Sequence, residues 1–274
     1  MNKKWHHVAV VNEEIAERGN YRTAGGAHIE IGAAVAAARA GTVSYTPALL
    51  DAIVSTGAPG AGPTVVEVTD EGSVQAARRL HADGTSGRIG VLNFASARNP
   101  GGGYLRGARA QEEDLCRSSL LYTCLLEAPD YYAAHRASTD LRYSHRVIVS
   151  PDVPVIRDDQ GELAEPFPVT FLTSPAPNAG ELARRSARVD VREVLTHRAE
   201  RVVAAAARHE VRTLVLGAWG CGVFRNDPAQ VADAFGAALD TWGAAFDSVV
   251  FAVWDRAADS ANRAAFQSRF GAIE

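Results

Sequence analysis

Two short, almost unbroken apolar runs set the terms on which this chain can fold: RIGVLNFA at 88–95 and TLVLG at 213–217. A strand that is apolar at nearly every position has to be covered on both faces, the condition of a parallel sheet between helical layers. Extended and helical patterns alternate around these runs. Further strands are predicted at Val65–Thr69, His145–Ser150, Val169–Thr173 and Ser248–Trp254. Helices are predicted at Ser73–Ala82, Glu112–Glu127, Val191–His209, Pro228–Trp242 and Asp259–Phe270. The stretch between the strands at 145–150 and 169–173 is proline-rich and reads as irregular. Asp227 followed by Pro228 makes an N-cap with proline in the first helical position. The result is an α/β chain with a mostly parallel central sheet. Such sheets hold ligands at the carboxyl ends of their strands. There the two apolar runs lead into glycine-rich loops, 96–110 and 217–227.

The first 60 residues follow a different pattern. Trp5, Val8, Val11 and Ile15 mark a helix over 3–18, Gly25-Gly26 sits inside a hairpin at Tyr21–Ile31, and helical signals return at 33–40 and 48–54. STGAPGAGP (55–63) is a flexible connection. The division expected is an accessory segment at 1–60 packed on a domain at 61–274.

Composition excludes several classes. With 274 residues, 47% of them hydrophobic and 22% charged, the chain can bury a full core and is not disordered. No apolar run approaches the roughly 18 residues of a membrane span. MNKKWHHVAVVNEE turns polar too soon for a secretory signal, so a cytoplasmic protein away from membranes is expected. Three widely spaced cysteines, Cys116, Cys124 and Cys221, form no disulfide framework. The histidines make no HExxH pattern, and neither a metal nor a cofactor is expected. A net charge of −4 offers no basic field for direct DNA binding.

The chemistry lies in the two loops. GAWGCGVFRNDP (217–228) places Gly217, Gly220 and Gly222 between a buried strand and a helix start, where backbone N–H groups can cradle phosphate. The same glycines also suit a tight structural crossover. The loop is neither a Walker A sequence nor GxGxxG, and Cys221 is not in a nucleophile elbow. In NPGGGYLRGARAQEED (99–114), Gly101-Gly102-Gly103 allow positive φ or close approach, and Gln111-Glu112-Glu113-Asp114 follow at a helix start. Acids there meet the helix dipole favourably, by roughly 0.3–1 kcal/mol each. A ligand with phosphates in its middle and ribose at its end would use both loops, and ADP-ribose is such a ligand. Glycosidic chemistry commonly uses two carboxyls about 5–9.5 Å apart across the bond. Neighbouring residues such as Glu112 and Glu113, about 3.8 Å apart at Cα, do not flank one bond. A division of labour follows, one acid holding ribose hydroxyls and the other moving the proton. Burial and the like-charged neighbour would raise the pKa of that acid.

GGG, seven residues, then QEE resembles the signature of the poly(ADP-ribose) glycohydrolases, and VLNFASARNPGGGYLRGARAQEE looks like their shorter, bacterial-type branch. AERGNYRT, VVEVTDEGSVQAARRL and LGAWGCGVFRNDP extend the likeness over nearly the whole chain. The resemblance implies a macrodomain-like three-layer α/β/α fold with a mixed sheet. It implies hydrolysis of ribose–ribose bonds in poly(ADP-ribose), free or on ADP-ribosylated proteins, with ADP-ribose as product. A monomer attacking chain ends, connected to the DNA damage response, is expected. By the same resemblance Glu113 is the catalytic acid and base, Glu112 the ribose clamp, Gln111 a loop support and Asn99 a distal-ribose contact. Gly101, Gly102 and Gly103 approach the substrate. Gly217, Gly220, Cys221, Gly222, Val223, Phe224, Arg225 and Asn226 form the diphosphate loop, Val223 and Phe224 closing over the ligand. Asp70 matches the position that meets adenine.

Two other readings remain open on the residues alone. A non-catalytic ADP-ribose reader would share the phosphate loop without needing the paired glutamates. A cysteine hydrolase would use Cys221 or Cys116 with a histidine that no motif supplies.

Overall fold

The computed structural model describes residues 3–58, 60, 62–185, 190–257 and 259–271. Residues 59 and 61 of the expected connection lie outside this set. In chain order the elements are α1 (Lys3–Arg18), β1 (Asn20–Arg22), β2 (His28–Glu30), α2 (Gly32–Ala40), β3 (Val43–Tyr45) and α3 (Pro47–Ser55). Next come β4 (Val65–Thr69), α4 (Ser73–Ala82), β5 (Arg88–Phe94), a 3-10 turn at Tyr104–Arg106, α5 (Gln111–Ser118), α6 (Leu121–Leu125) and α7 (Pro129–Arg136). The remainder is β6 (Val147–Arg157), β7 (Leu163–Ser174), α8 (Ala179–Arg184), α9 (Arg192–Arg208), β8 (Val211–Leu216), α10 (Pro228–Trp242), β9 (Ser248–Ala252) and α11 (Ala261–Phe270).

Seven strands form the main sheet in the order β3-β6-β7-β5-β8-β9-β4. The run from β7 to β4 is parallel throughout, and β6 and β3 add antiparallel neighbours at the other edge. The apolar runs divide their residues between two cores, as two-sided burial requires. Leu92, Leu214, Leu216, Val249 and Phe251 join the core under α3, α9, α10 and α11. Val91, Val215 and Val250, between them in sequence, join the core under α4 to α7. Asp227 Oδ1 accepts from Ala229 N–H at 2.9 Å and starts α10. Among the described residues no helix is long and apolar enough to cross a membrane.

Two expectations change. The helix expected over 112–127 is two helices, because Ser119 leaves helical geometry to bridge Val155, and Leu120 N–H donates to Pro154 O at 3.0 Å. The proline-rich stretch is not irregular but a long hairpin of β6 and β7, in which Pro154 faces Pro168 and two register shifts interrupt the ladder. A missing N–H is tolerated at such interruptions. Strand β3, with only three residues before Pro47, carries too short a pattern to read.

Helix α1 lies against the elements that carry the glycine loop. Tyr104 OH donates to Ala9 O at 3.4 Å and to Glu13 Oε1 at 3.3 Å, and His6 Nδ1 to Leu105 O at 2.7 Å. Asn12 is fully buried. Its amide donates to Arg117 O at 2.8 Å, at the end of α5, and its Oδ1 accepts from the buried Arg157 at 2.7 and 3.0 Å. Asn12→Ala would strip Arg157 of its side-chain acceptor and the α5 carbonyl of its donor. The expected loss is about 3 kcal/mol of unfolding free energy, measurable by chemical denaturation.

Candidate active site

Gln111 sets where α5 begins. Its Oε1 accepts from Phe94 N–H at 2.8 Å, and its Nε2 donates to Leu92 O at 2.7 Å and to Ser73 Oγ at 3.1 Å. The side chain therefore ties the first residue of α5 to the last turn of the central strand and to the start of α4. Glu112 and Glu113 follow in the first helical turn.

The two acids occupy different surroundings. Glu112 is 3% exposed; its Oε2 accepts from Ser96 N–H at 2.7 Å and its Oε1 from Asn93 Nδ2 at 3.3 Å. Burial, aided by the charge of Glu113, pushes Glu112 up to about 8. Glu113 is the third residue of α5 and reaches back to the helix start, the Glu half of a capping box: Oε2 accepts from Ala110 N–H at 2.8 Å and Oε1 from Gly103 N–H at 2.7 Å. Both oxygens are thus held while the carboxylate remains on the wall of a cleft. Asp114 turns out toward Arg117, which also donates to Ala108 O at 2.7 Å.

The glycine run is shaped around these acids. Gly101 and Gly102 have φ of 62° and 58°. A Cβ on Gly102 would stand 2.5 Å from Glu113 Oε1 and 3.1 Å from Glu112 Oε2, so both carboxyl groups converge on that residue. Gly101 instead faces Tyr122 and Cys116, away from the cleft, and Gly103 faces Ala108.

In the second loop Gly217 packs against Ala252 O and Phe94, and Gly220, at φ 72°, against Ala176 and Asn226. Asn226 is buried and turns inward, its amide donating to Pro177 O at 2.9 Å and Gly220 O at 3.1 Å. The N–H groups of Gly220, Gly222, Val223 and Phe224 have no acceptor among the described residues, which leaves them free to receive an anion. Val223 stands 84% exposed at the tip. The Arg225 stem lies over Gly180 on the outer side of the loop. Cys221 Sγ lies 3.9 Å from Trp219 O, and burial pushes its thiol up to about 12, so little thiolate exists at neutral pH. Burial raises the Cys116 thiol as well.

The loops meet across a cleft of about 350 Å³ lined by Asn99, Gly102, Gly103, Glu113 and Phe224 from the expected set. Ser96, Arg98, Arg106 and Tyr143 also line it. Tyr143 comes from STDLRYSHR, which carries no periodic or motif signal. Asp70 lies away from this cleft and pairs with Arg263 at 2.6 Å. Because Thr69 is in register with Ala252, Asp70 and the 59% exposed Trp254 leave neighbouring strands at the same sheet end. No group of three or more metal-ligating side chains is found among the described residues.

A mixed sheet between helical layers, with paired acids and an anion-receiving loop at its carboxyl edge, defines a macrodomain-like protein. The sequence model described as "Microbial-type PARG, catalytic domain" matches residues 9–158, and the chain belongs to that poly(ADP-ribose) glycohydrolase (PARG) family. The PARG of Thermomonospora curvata is 46% identical, with 97% of this chain and 99% of that one covered and a TM-score of 0.91. Its complex with the inhibitor ADP-HPD gives 45% identity, the same coverage and 0.89. The PARG of Deinococcus radiodurans bound to ADP-ribose is 44% identical, covers 87% of this chain and 97% of that one, and has a TM-score of 0.81. No curated protein matches the chain.

Two outcomes are expected from this geometry. Gly102→Ala would displace both carboxyl groups and strain a positive-φ position, lowering kcat on the order of 100-fold in a product-release assay. Glu112 has a folded value of about 8 against an ordinary 4.5. Its stabilising contribution is therefore full below about pH 4.5 and is lost as pH rises through 8. Between those limits the unfolding free energy of Glu112→Gln should move relative to wild type, in the variant's favour, by on the order of 4 kcal/mol. Denaturation curves at stepped pH read that change directly.

Proposed function

We propose that this glycohydrolase works mainly from the ends of poly(ADP-ribose) chains, releasing ADP-ribose, with Glu113 as its acid and base. The observation that carries the assignment is the position of Glu113. Its carboxyl group is oriented by two backbone N–H donors, lies on the cleft wall and faces the anion-receiving loop across the space a ribose would fill. A protonated Glu113 gives its proton to the departing 2′-oxygen of the next unit. The ribose develops oxocarbenium character, and the carboxylate then takes a proton from the water that attacks it.

The other residues supply binding. Glu112 orients the ribose through its hydroxyls from behind Gly102, and Asn99 meets the same sugar from the rim. The diphosphate lies against the N–H groups of Gly220, Gly222, Val223 and Phe224, with the Phe224 ring and Val223 over it. Gly217, Cys221, Arg225 and Asn226 shape that loop through backbone position and packing. Adenine extends toward the ends of β4 and β9, where Asp70 offers a carboxylate and Trp254 a flat apolar face. Gln111 and Gly101 hold the architecture and do not touch substrate. Attack from chain ends is the reading in which the cleft holds one terminal ADP-ribose and the rest of the polymer leaves on one side.

Turnover of poly(ADP-ribose) by wild type, Glu113→Gln and Cys221→Ser tests this. Glu113→Gln should lower ADP-ribose release by about 10²–10⁴-fold while ADP-ribose still binds by calorimetry, and Cys221→Ser should remain active. Activity retained by Glu113→Gln, or lost in Cys221→Ser alone, would sink the assignment. Free oligomers dominating the early products would overturn attack from chain ends.

A further inference from the structure

Tyr143 has no part in the chemistry above, yet it stands on the cleft wall in a conformation that a tyrosine avoids. Its φ is 59°, in the left-handed region, where side chains other than glycine are strained. Two buried groups hold it there. Arg198 of α9 is fully buried, and its guanidinium donates to the carbonyls of Arg142 at 2.7 Å, Tyr143 at 3.2 Å and Pro175 at 2.7 Å, and to His145 Nδ1 at 3.4 Å. Every one of these partners is neutral, since burial lowers the His145 pKa to about 4. His135 of α7, also buried, donates from Nδ1 to Tyr131 O at 2.9 Å and accepts at Nε2 from Ser144 N–H at 3.2 Å. The counter-charge of Arg198 comes from Asp140, a carboxylate already paired with Arg142. A buried cation whose hydrogen-bond partners are all neutral and a strained backbone are each unfavourable. Here both serve a single surface turn.

What the turn presents is an aromatic ring beside two cations. The Tyr143 ring centroid is 6.0 Å from that of Phe224, at 40°. Arg98 and Arg106 line the same cleft. Arg98 is tied to this wall, donating to Ser138 O at 3.0 Å while its carbonyl accepts from Arg136 at 2.8 Å. A flat apolar face flanked by guanidinium groups suits a nucleoside that carries phosphates.

The strand order says which nucleoside. Asp70 and Trp254 follow β4 and β9, the anion-receiving loop follows β8, and the glycine loop and α5 follow β5. The retained ADP-ribose therefore runs from β4 toward β5. Tyr143 precedes β6, and Pro175, which shares Arg198 with it, follows β7, on the opposite side of β5. We infer that Tyr143 is the stacking platform for the adenosine of the departing unit, whose phosphates meet Arg98 and Arg106. This rests on the glycohydrolase reading given under Proposed function.

Steady-state kinetics on poly(ADP-ribose), with ADP-ribose calorimetry and thermal melts, for wild type, Tyr143→Phe, Tyr143→Ala and Tyr143→Gly test it. Tyr143→Ala and Tyr143→Gly should raise KM for the polymer roughly tenfold with little change in kcat, and Tyr143→Phe should behave as wild type. Tyr143→Gly should melt above Tyr143→Ala, because glycine accepts the left-handed φ, while sharing its KM. That pairing separates loss of substrate contact from loss of fold. ADP-ribose affinity should stay unchanged in all three, since the product lacks the departing unit. An unchanged polymer KM in Tyr143→Ala and Tyr143→Gly overturns the inference, as does a matching loss of ADP-ribose affinity. A wild-type protein that releases no ADP-ribose overturns the glycohydrolase reading and this inference with it.

Discussion

The side-chain amide of Gln111 stands in for a strand. Strand β5 pairs with β7 along most of its length, but its ladder with β8 ends at Val91 and Val215. Beyond that point Gln111 accepts from Phe94 N–H and donates to Leu92 O, as a neighbouring peptide would. Buried backbone groups need partners, so the end of β5 and the start of α5 are determined together. Glu112 and Glu113 then fall at fixed positions beside the strand end, and the glycine loop between β5 and α5 has to fit over them.

Adjacent acids become chemically distinct because a helix start offers two environments. The second residue of α5 points back toward β5, where Glu112 meets Asn93 and Ser96 and is shut off from water. The third residue is the capping-box position, which turns its side chain to the N-cap backbone and leaves it at the loop surface. Glu113 occupies that position and receives a second donor from Gly103. The same hydrogen bonds that stabilise the helix end fix the orientation of the carboxylate on the cleft wall.

Much of this was legible because burial on two faces writes itself plainly. The runs around Leu92 and Leu214 are apolar throughout, and the strands they predict lie at the sheet centre. The glycine run with its acids could be read at the level of residue types, and Gly102 is the one whose missing side chain the structure explains most directly. Other features left no local trace. Ser119 breaks a helix because Val155, distant in sequence, pairs with it. The prolines of β6 and β7 look like loop residues until the hairpin places Pro151 and Pro166 at interruptions of its ladder and sets Pro154 opposite Pro168 between them. Asn226 looked like a loop residue facing a ligand and is an internal clamp, because its neighbours Pro177 and Gly220 are brought to it by the fold. Tyr143 was invisible for the same reason. Its conformation is dictated by Arg198 and His135, which come from two separate helices.

A chain of net charge −4 that takes a polyanion must do so locally. The means visible in the cleft are largely dipoles. The unengaged N–H groups of Gly220, Gly222, Val223 and Phe224 can attract phosphate without adding formal charge, so they act at contact distance. The carboxyl groups that chemistry requires work against this attraction, and burial softens the conflict. With its pKa near 8, Glu112 is mostly uncharged at neutral pH, which removes one negative charge from directly behind Gly102. An uncharged Glu112 can also donate a hydrogen bond to a ribose hydroxyl as well as accept one. Arg98 and Arg106 are the cations on the cleft wall, and Arg98 is tied to Ser138 O, on the segment that leads to Tyr143. On the reading proposed above, formal charge serves the part of the polymer that is let go, and oriented backbone the part that is held while its bond breaks.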